Sequence, residues 1–201
     1  MRNALAGREH LYNNNEKRGY APSRIQRCFI TGLLFILLQT YAWGWDLALE
    51  LGTGDDSTDR IGFGIQWQWE KKWFAQGNWY LGGYWEASFS YWDGEKGWTG
   101  NASLFEGGIT PVFRFQRHSP IYGVSPYLEA AIGVHGMSET TLGDNDFSIP
   151  FAFGSHLGTG IRFGGQKQFE LGYRFQHLSN AVLGDPNPGI NFHLLRLSYH
   201  F

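Results

Sequence analysis

Hydrophobic and polar residues alternate with a period of two over most of the chain after residue 44. The segment 60–70 shows this most clearly, because Ile61, Phe63 and Ile65 alternate with glycine and glutamine. Such alternation is typical of β-strands whose two faces meet different surroundings. Segments of this kind occur at 45–52, 60–70, 78–92, 102–116, 125–137, 147–164, 167–180 and 190–201. The pattern therefore predicts an all-β domain of eight strands.

The two faces of these segments differ in volume as well as in polarity. One face carries Trp, Phe, Leu and Ile, which is too much volume for the interior of an eight-stranded barrel. The other face carries Gly, Ser and charged residues and fits a narrow lumen. Carboxylates and guanidinium groups are expected to pair there, from Glu86, Glu106, Glu129, Glu170, Arg114, Arg162, Arg174 and Arg196. Large residues outside and small polar residues inside predict a transmembrane barrel. The alternative is a soluble β-sandwich or barrel.

The ends of the segments and their connections support the membrane interpretation. Aromatic residues near segment ends suit interfacial girdles: Trp67, Trp69, Trp79, Tyr91 and Trp92. The connections that follow odd-numbered segments are polar, whereas 164–166 is a tight turn. The last segment closes on the aromatic residue Phe201, as outer-membrane barrels do. We therefore predict an eight-stranded antiparallel transmembrane β-barrel of the outer-membrane type, with both ends of the barrel chain in the periplasm.

The residues before the barrel have the layout of a secretory signal peptide. The apolar run 28–39 is preceded by Arg24 and Arg27 and followed by the small residues Ala42 and Gly44. It is too short to span a bilayer, for which about 20 residues are needed. We predict cleavage before Trp45, which gives a signal peptide with a long N-terminal extension at 1–44 and a barrel at 45–201. An N-terminal anchor helix is the alternative. The single cysteine, Cys28, lies in the apolar run.

Composition and charge exclude several classes of function. The formal net charge of −2 provides no basic field for nucleic acid. The seven histidines are scattered without the spacing of metal ligands, so no metal or cofactor is expected. The aromatic content of 17% and the 28 glycines suit a membrane barrel.

A polar group interrupts the apolar face of the last two segments. In 167–180, the face set by Phe175 and the residues before it continues through His177 and Ser179. In 190–201, the outward face reaches His193 and Asn191. The two segments are antiparallel neighbours, so these side chains are expected to meet at one end of the wall. The Cα atoms of His177 and Ser179 would lie about 7 Å apart. A histidine beside a serine can activate its hydroxyl, and a polar residue across the strands can orient the imidazole. The alternative is that these polar positions simply lie beyond the hydrocarbon.

The residues around this group resemble a known family. Phe175-Gln-His177-Leu-Ser179-Asn180, followed by Asp185-Pro-Asn187-Pro-Gly189, resembles the motif of the outer-membrane lipid A 3-O-deacylases. The resemblance implies a serine esterase that hydrolyses the ester-linked acyl chain at the 3-position of lipid A and releases a 3-hydroxy fatty acid. It assigns Ser179 as the nucleophile and His177 as the general base and then acid.

The resemblance also assigns the supporting residues. Asn187 falls at the position of the asparagine that stabilises the oxyanion, and Asn180 and the backbone N–H groups of 180–182 are candidates to assist it. The third triad member, typically Glu, falls at Asn191. An amide can still accept the imidazole N–H, but it carries no negative charge. The role of His193 is left open.

The same resemblance implies a location and partners. The enzyme is expected in the cell outer membrane with its site facing the outer leaflet, where lipid A, the anchor of lipopolysaccharide, is the substrate. No cofactor is implied, and the exposed aromatics allow a homodimer without selecting a face for it. A non-catalytic structural barrel and a barrel acyltransferase are the alternative functions.

Overall fold

The computed structural model describes residues 44–95, 97 and 100–201, which contain a closed antiparallel barrel of eight long strands. These strands are β1 (Trp45–Gly54), β2 (Asp59–Gln68), β3 (Trp79–Asp93), β4 (Ser103–Arg117), β5 (Ser125–Met137), β8 (Phe151–Phe163), β9 (Phe169–Ser179) and β10 (Ile190–Tyr199). A two-stranded hairpin, β6 (Thr141–Leu142) and β7 (Asn145–Asp146), lies between β5 and β8. The predicted eight-stranded barrel is confirmed. The predicted signal peptide and Cys28 lie outside the described residues.

Each barrel strand pairs with its neighbour in the chain, and β10 closes the ring against β1. We call the end that carries Trp45 and Phe201 the base, and the opposite end the rim. The rim carries a 3-10 turn at Asp55–Ser57, the β6–β7 hairpin and the connection 180–189. The predicted segment 147–164 begins too early, because residues 147–150 belong to a rim loop whose Phe147 is buried. No helix in the described ranges is long and apolar enough to cross a membrane.

The outer wall is apolar, as the alternation predicts. Ile132 of β5 and Leu157 of β8 expose 68% and 67% of their surface. The residues that alternate with Ile132 along β5 are buried. Each of the eight barrel strands is paired on both sides, so the wall leaves no open edge of backbone N–H and C=O groups. This is a requirement for a sheet that is surrounded by hydrocarbon, where unpaired backbone groups cost several kcal/mol each.

The lumen is filled by a buried network of ion pairs. Arg174 of β9 donates to Glu129 at 2.6 Å and to Glu86 and Glu50 at 2.8 Å each. Arg196 of β10 also donates to Glu50 and Glu86. Side chains from five strands are thus tied together by charge-assisted hydrogen bonds, which are stronger than neutral ones.

The predicted pairing of carboxylates with guanidinium groups is confirmed for most, but not all, of the named residues. Arg114 binds Glu129 at 2.7 Å and Glu170 at 2.6 Å, and Glu106 pairs with Arg60, which was not predicted. Arg162 is different. It lies near the base, where it donates to the carbonyl of Lys167.

Beneath the rim, the lumen also contains an apolar cluster. Trp92 is fully buried there, against Phe192 at a ring distance of 4.7 Å, and its Nε1 donates to Ser90 Oγ at 2.8 Å. The prediction that Trp92 belongs to an interfacial girdle is therefore wrong. The strand alternation itself explains the result, because Trp92 shares the inward parity of Ser90 and Glu86. This cluster supports the rim from inside.

The network predicts a strong effect for Glu129→Gln. Glu129 accepts hydrogen bonds from Arg114, Arg174 and Tyr84. Removing its charge leaves two buried guanidinium groups undercompensated, and we expect the free energy of unfolding to fall by about 3–5 kcal/mol. Equilibrium unfolding in urea with lipid vesicles measures this change. The control is Glu139→Gln, which removes the same charge from an exposed loop position and should cost less than about 1 kcal/mol. Equal losses for the two variants would contradict the structural role of the network.

Candidate active site

The structure brings His177 and Asn191 together at the rim. The two residues lie directly opposite each other in the β9–β10 ladder, on the outward face. His177 Nδ1 donates to Asn191 Oδ1 at 2.8 Å. Both side chains are half-buried, as is Ser179 at the end of β9. The side chain that the sequence places across from the histidine thus fixes one nitrogen of its ring.

Ser179 shares this face with His177, two residues further along the same strand. Its neighbour across the β8–β9 ladder is Phe153, whereas the neighbour of His177 is a second serine, Ser155. Cross-strand neighbours have Cβ atoms about 4.5–5.5 Å apart, so Ser155 is also close to the imidazole. Ser155 was not predicted as part of this group. It has the same parity along β8 as Phe153 and Leu157, and this parity in the sequence places it on the outward face.

The other side of the imidazole ring is covered by Gly189. A Cβ atom on Gly189 would lie 2.9 Å from His177 Cε1 and 3.5 Å from Nε2, and the backbone there has a φ of +66°. Only glycine adopts this conformation readily and leaves the space that the ring occupies. The backbone at Gly189 therefore holds the ring in place from the loop side.

Asn187 reaches back from the 180–189 connection to the residue after the serine. Its Oδ1 accepts the backbone N–H of Asn180 at 2.9 Å. Because the carbonyl end of the Asn187 amide makes this bond, its Nδ2 is the end left to donate to another group.

Asn180 does not have the geometry predicted for it. It is buried, its Nδ2 donates to the carbonyls of Phe147 and Gly184, and its Oδ1 accepts the Val182 N–H at 2.9 Å. These bonds hold a tight turn in which Ala181 and Val182 have φ angles of 51° and 68°. Both the backbone N–H and the side chain of Asn180 are thus used to shape the loop, and the oxyanion role predicted for Asn180 does not fit.

Two further residues clarify the surroundings of Asn191. Asp55, in the 3-10 turn after β1, accepts the Asn191 backbone N–H at 2.9 Å and its Nδ2 at 2.8 Å. His193 lies on the same face as Asn191, but its Nδ1 is hydrogen-bonded to the Tyr173 hydroxyl at 2.6 Å, further from the rim. The sequence does not predict Asp55 at this site, because no local pattern connects it with β10.

Comparison with known proteins decides the family. The sequence profile of the lipid A 3-O-deacylases (PagL) matches residues 59–200. A lipid A deacylase PagL from Pseudomonas aeruginosa is 32% identical over 150 residues, which cover 75% of this chain and 83% of that protein. A lipid A deacylase PagL from Bordetella bronchiseptica is 31% identical over 118 residues, which cover 58% of this chain and 61% of that protein.

A solved structure agrees with these sequence matches. The crystal structure of the outer membrane enzyme PagL superposes with a TM-score of 0.70 and 30% identity, covering 78% of this chain and 99% of that one. The chain belongs to the lipid A 3-O-deacylase (PagL) family. It is an enzyme of the outer membrane, and the predicted family, fold and outer-membrane location are confirmed.

For this deacylase, the packing of the ring predicts that Gly189→Ala is damaging. The added methyl group must displace the His177 ring or the backbone, so we expect deacylase activity to fall at least roughly tenfold while the barrel still folds. The control is Gly165→Ala in a base turn, where a Cβ meets nothing within 4 Å and φ is not positive. Release of fatty acid from lipopolysaccharide in mixed micelles measures the activity. Full activity of the Gly189 variant would show that the ring has another support.

Proposed function

We propose that this deacylase hydrolyses the 3-position acyl ester of lipid A as a serine esterase, with Ser179 as the nucleophile and His177 as the general base. The observation that carries the proposal is the 2.8 Å bond from His177 Nδ1 to Asn191 Oδ1. An amide oxygen can only accept, so Nδ1 holds the proton and Nε2 keeps a free lone pair. The base is therefore prepared in the tautomer that removes a proton from a hydroxyl.

The reaction then follows the two steps of acyl transfer. His177 Nε2 takes the proton of the Ser179 hydroxyl while Oγ forms a bond to the ester carbonyl carbon. The tetrahedral intermediate collapses, and the sugar oxygen leaves with the proton from His177. Water, deprotonated by the same nitrogen, hydrolyses the acyl-enzyme and releases a 3-hydroxy fatty acid. Hydrogen bonds between catalytic groups often tighten only when substrate is bound. The proposal therefore needs Ser179 and His177 to be neighbours on one strand, and it expects their hydrogen bond to form in the complex with substrate.

The outward position of the site supports lipid A as the substrate. His177, Ser179 and Asn191 lie on the face that carries the apolar wall, at the rim end of β9 and β10. With the base in the periplasm, this rim lies in the outer leaflet. An ester at the boundary between sugar and acyl chain then meets the serine directly, and the lipid does not need to leave the membrane.

The proposal is tested by Ser179→Ala and His177→Ala. Each variant should lose about 10³-fold or more of the activity of the wild-type enzyme, since nucleophile and base act as one unit. Mass spectrometry of lipid A after incubation in mixed micelles measures the loss of one ester-linked chain.

The matched control is Ser155→Ala. Ser155 is the other hydroxyl beside His177 on the outward face, and its removal should change the activity less than about threefold if Ser179 is the nucleophile. The heat-dependent shift of folded barrels on gels shows that each variant is folded. A folded Ser179→Ala enzyme that still deacylates lipid A, or a loss with Ser155→Ala alone, would overturn the assignment.

Asn187→Asp separates two functions of the Asn187 side chain. The aspartate can still accept the Asn180 N–H, so the loop should keep its shape, but it has no N–H to donate to an oxyanion. We expect kcat to fall about 10²–10³-fold, the range found when one oxyanion donor is removed. Steady-state kinetics on lipopolysaccharide micelles measures kcat and KM separately. Wild-type kcat in this variant would exclude Asn187 as the donor.

A further inference from the structure

We infer that Asp55 is a positioning residue for this reaction: it fixes the orientation of the Asn191 amide and supplies the negative charge that the amide lacks. The inference rests on the proposed function, because it concerns the same histidine. Asp55 lies outside the residues that match the family profile, 59–200. The carboxylate and the imidazole are connected through Asn191, in the order Asp55, Asn191, His177.

Asp55 determines which end of the Asn191 amide faces the histidine. A carboxylate can only accept hydrogen bonds, so the Asn191 Nδ2 must face Asp55 Oδ2, at 2.8 Å. The amide oxygen then has to face His177 Nδ1. If the amide turned over, its N–H would face Nδ1, the ring proton would move to Nε2, and the nitrogen that must accept the serine proton would be blocked. Asp55 thus selects the reactive tautomer through Asn191.

Asp55 also supplies negative charge. When His177 takes the proton of Ser179, its ring becomes cationic, and a neutral amide alone stabilises that cation weakly. The Asp55 carboxylate accepts a hydrogen bond from the Asn191 amide and polarises it, since hydrogen bonds in a chain polarise one another. The amide oxygen becomes a stronger acceptor as a result. Asp55 also binds the Asn191 backbone N–H at 2.9 Å, so the carboxylate is held by two donors of one residue.

The β1–β10 pairing brings Asp55 to this position. In the β1–β10 ladder, Gly54 pairs with Phe192, so the next residue of the chain arrives beside Asn191. A Cβ on Gly54 would lie 2.8 Å from the Asn191 carbonyl oxygen and 2.7 Å from the Phe192 ring, so glycine permits the close approach. Asp55 then begins the 3-10 turn, where its carbonyl accepts the Thr58 N–H at 3.1 Å.

The neighbouring Asp56 offers a matched control. It stands in the same turn with the same charge, but its Oδ2 accepts Asn145 Nδ2 at 2.7 Å, away from β10. Its backbone φ of 53° is also tolerated by asparagine. Asp55→Asn and Asp56→Asn therefore remove one negative charge each from the same loop by the same chemical change.

The experiment measures kcat and KM for both variants in two backgrounds, wild type and Asn191→Glu. In the wild-type background, Asp55→Asn should lower kcat about tenfold or more with KM within twofold, and Asp56→Asn should leave both within twofold. In the Asn191→Glu background, a carboxylate accepts the His177 proton directly and needs no orientation by Asp55. The new carboxylate lies against Asp55, a like charge, so Asp55→Asn should then keep or raise kcat and should not lower it.

The outcomes separate this inference from the proposed esterase mechanism. Equal effects of Asp55→Asn and Asp56→Asn, or the same loss for Asp55→Asn in both backgrounds, would show that Asp55 acts on the loop rather than through Asn191, and would overturn the inference. Loss of activity in Ser179→Ala together with wild-type kcat in Asp55→Asn would reject the role of Asp55 alone. Activity that persists in Ser179→Ala would reject the esterase mechanism itself.

Discussion

The register between β9 and β10 is the constraint on which the site depends. It places Asn191 opposite His177, and a slip of one residue would turn one of them toward the lumen. The register is held from within the barrel. Arg174 on β9 and Arg196 on β10 share Glu50 and Glu86 as partners, so the two strands cannot slide without separating buried charges. The inward face therefore fixes the geometry that the outward face uses.

The rim also explains how polar groups are tolerated on a wall built for lipid. Charged and polar side chains are costly in hydrocarbon unless they are paired. At the rim, the imidazole is paired with Asn191, and the loop amides are paired by Asn180 and Asn187. The apolar cluster around Trp92 and Phe192 supports the same residues from below. The site is thus a small cluster of hydrogen-bonded polar groups at the edge of an apolar surface.

The sequence predicts those parts of the molecule that depend on local alternation. Strand number, the outward apolar face and the common face of His177, Ser179 and Asn191 all follow from a period of two. The proximity of Asp55 does not, because it is 136 residues away from Asn191 and depends on closure of β1 against β10. Ser155 depends on the register of β8. The hydrogen bonds of the Asn180 side chain depend on the path of the rim loops. The alternation of residues along the strands does not describe that path.

Desolvation would affect a charge at position 191 more strongly than it affects the charge of Asp55. Asn191 is half-buried beside the lipid-facing wall, where a carboxylate would lose part of its hydration each time an acyl chain approached. Asp55 is exposed at the rim and keeps its contact with water. A neutral amide at position 191 can lie against the lipid, and its hydrogen bonds connect the Asp55 carboxylate with the His177 imidazole. In the inferred arrangement, the charge that stabilises the His177 cation lies on Asp55, one hydrogen bond beyond Asn191 and further from the hydrocarbon. Closure of β1 against β10 brings Asp55 to this position.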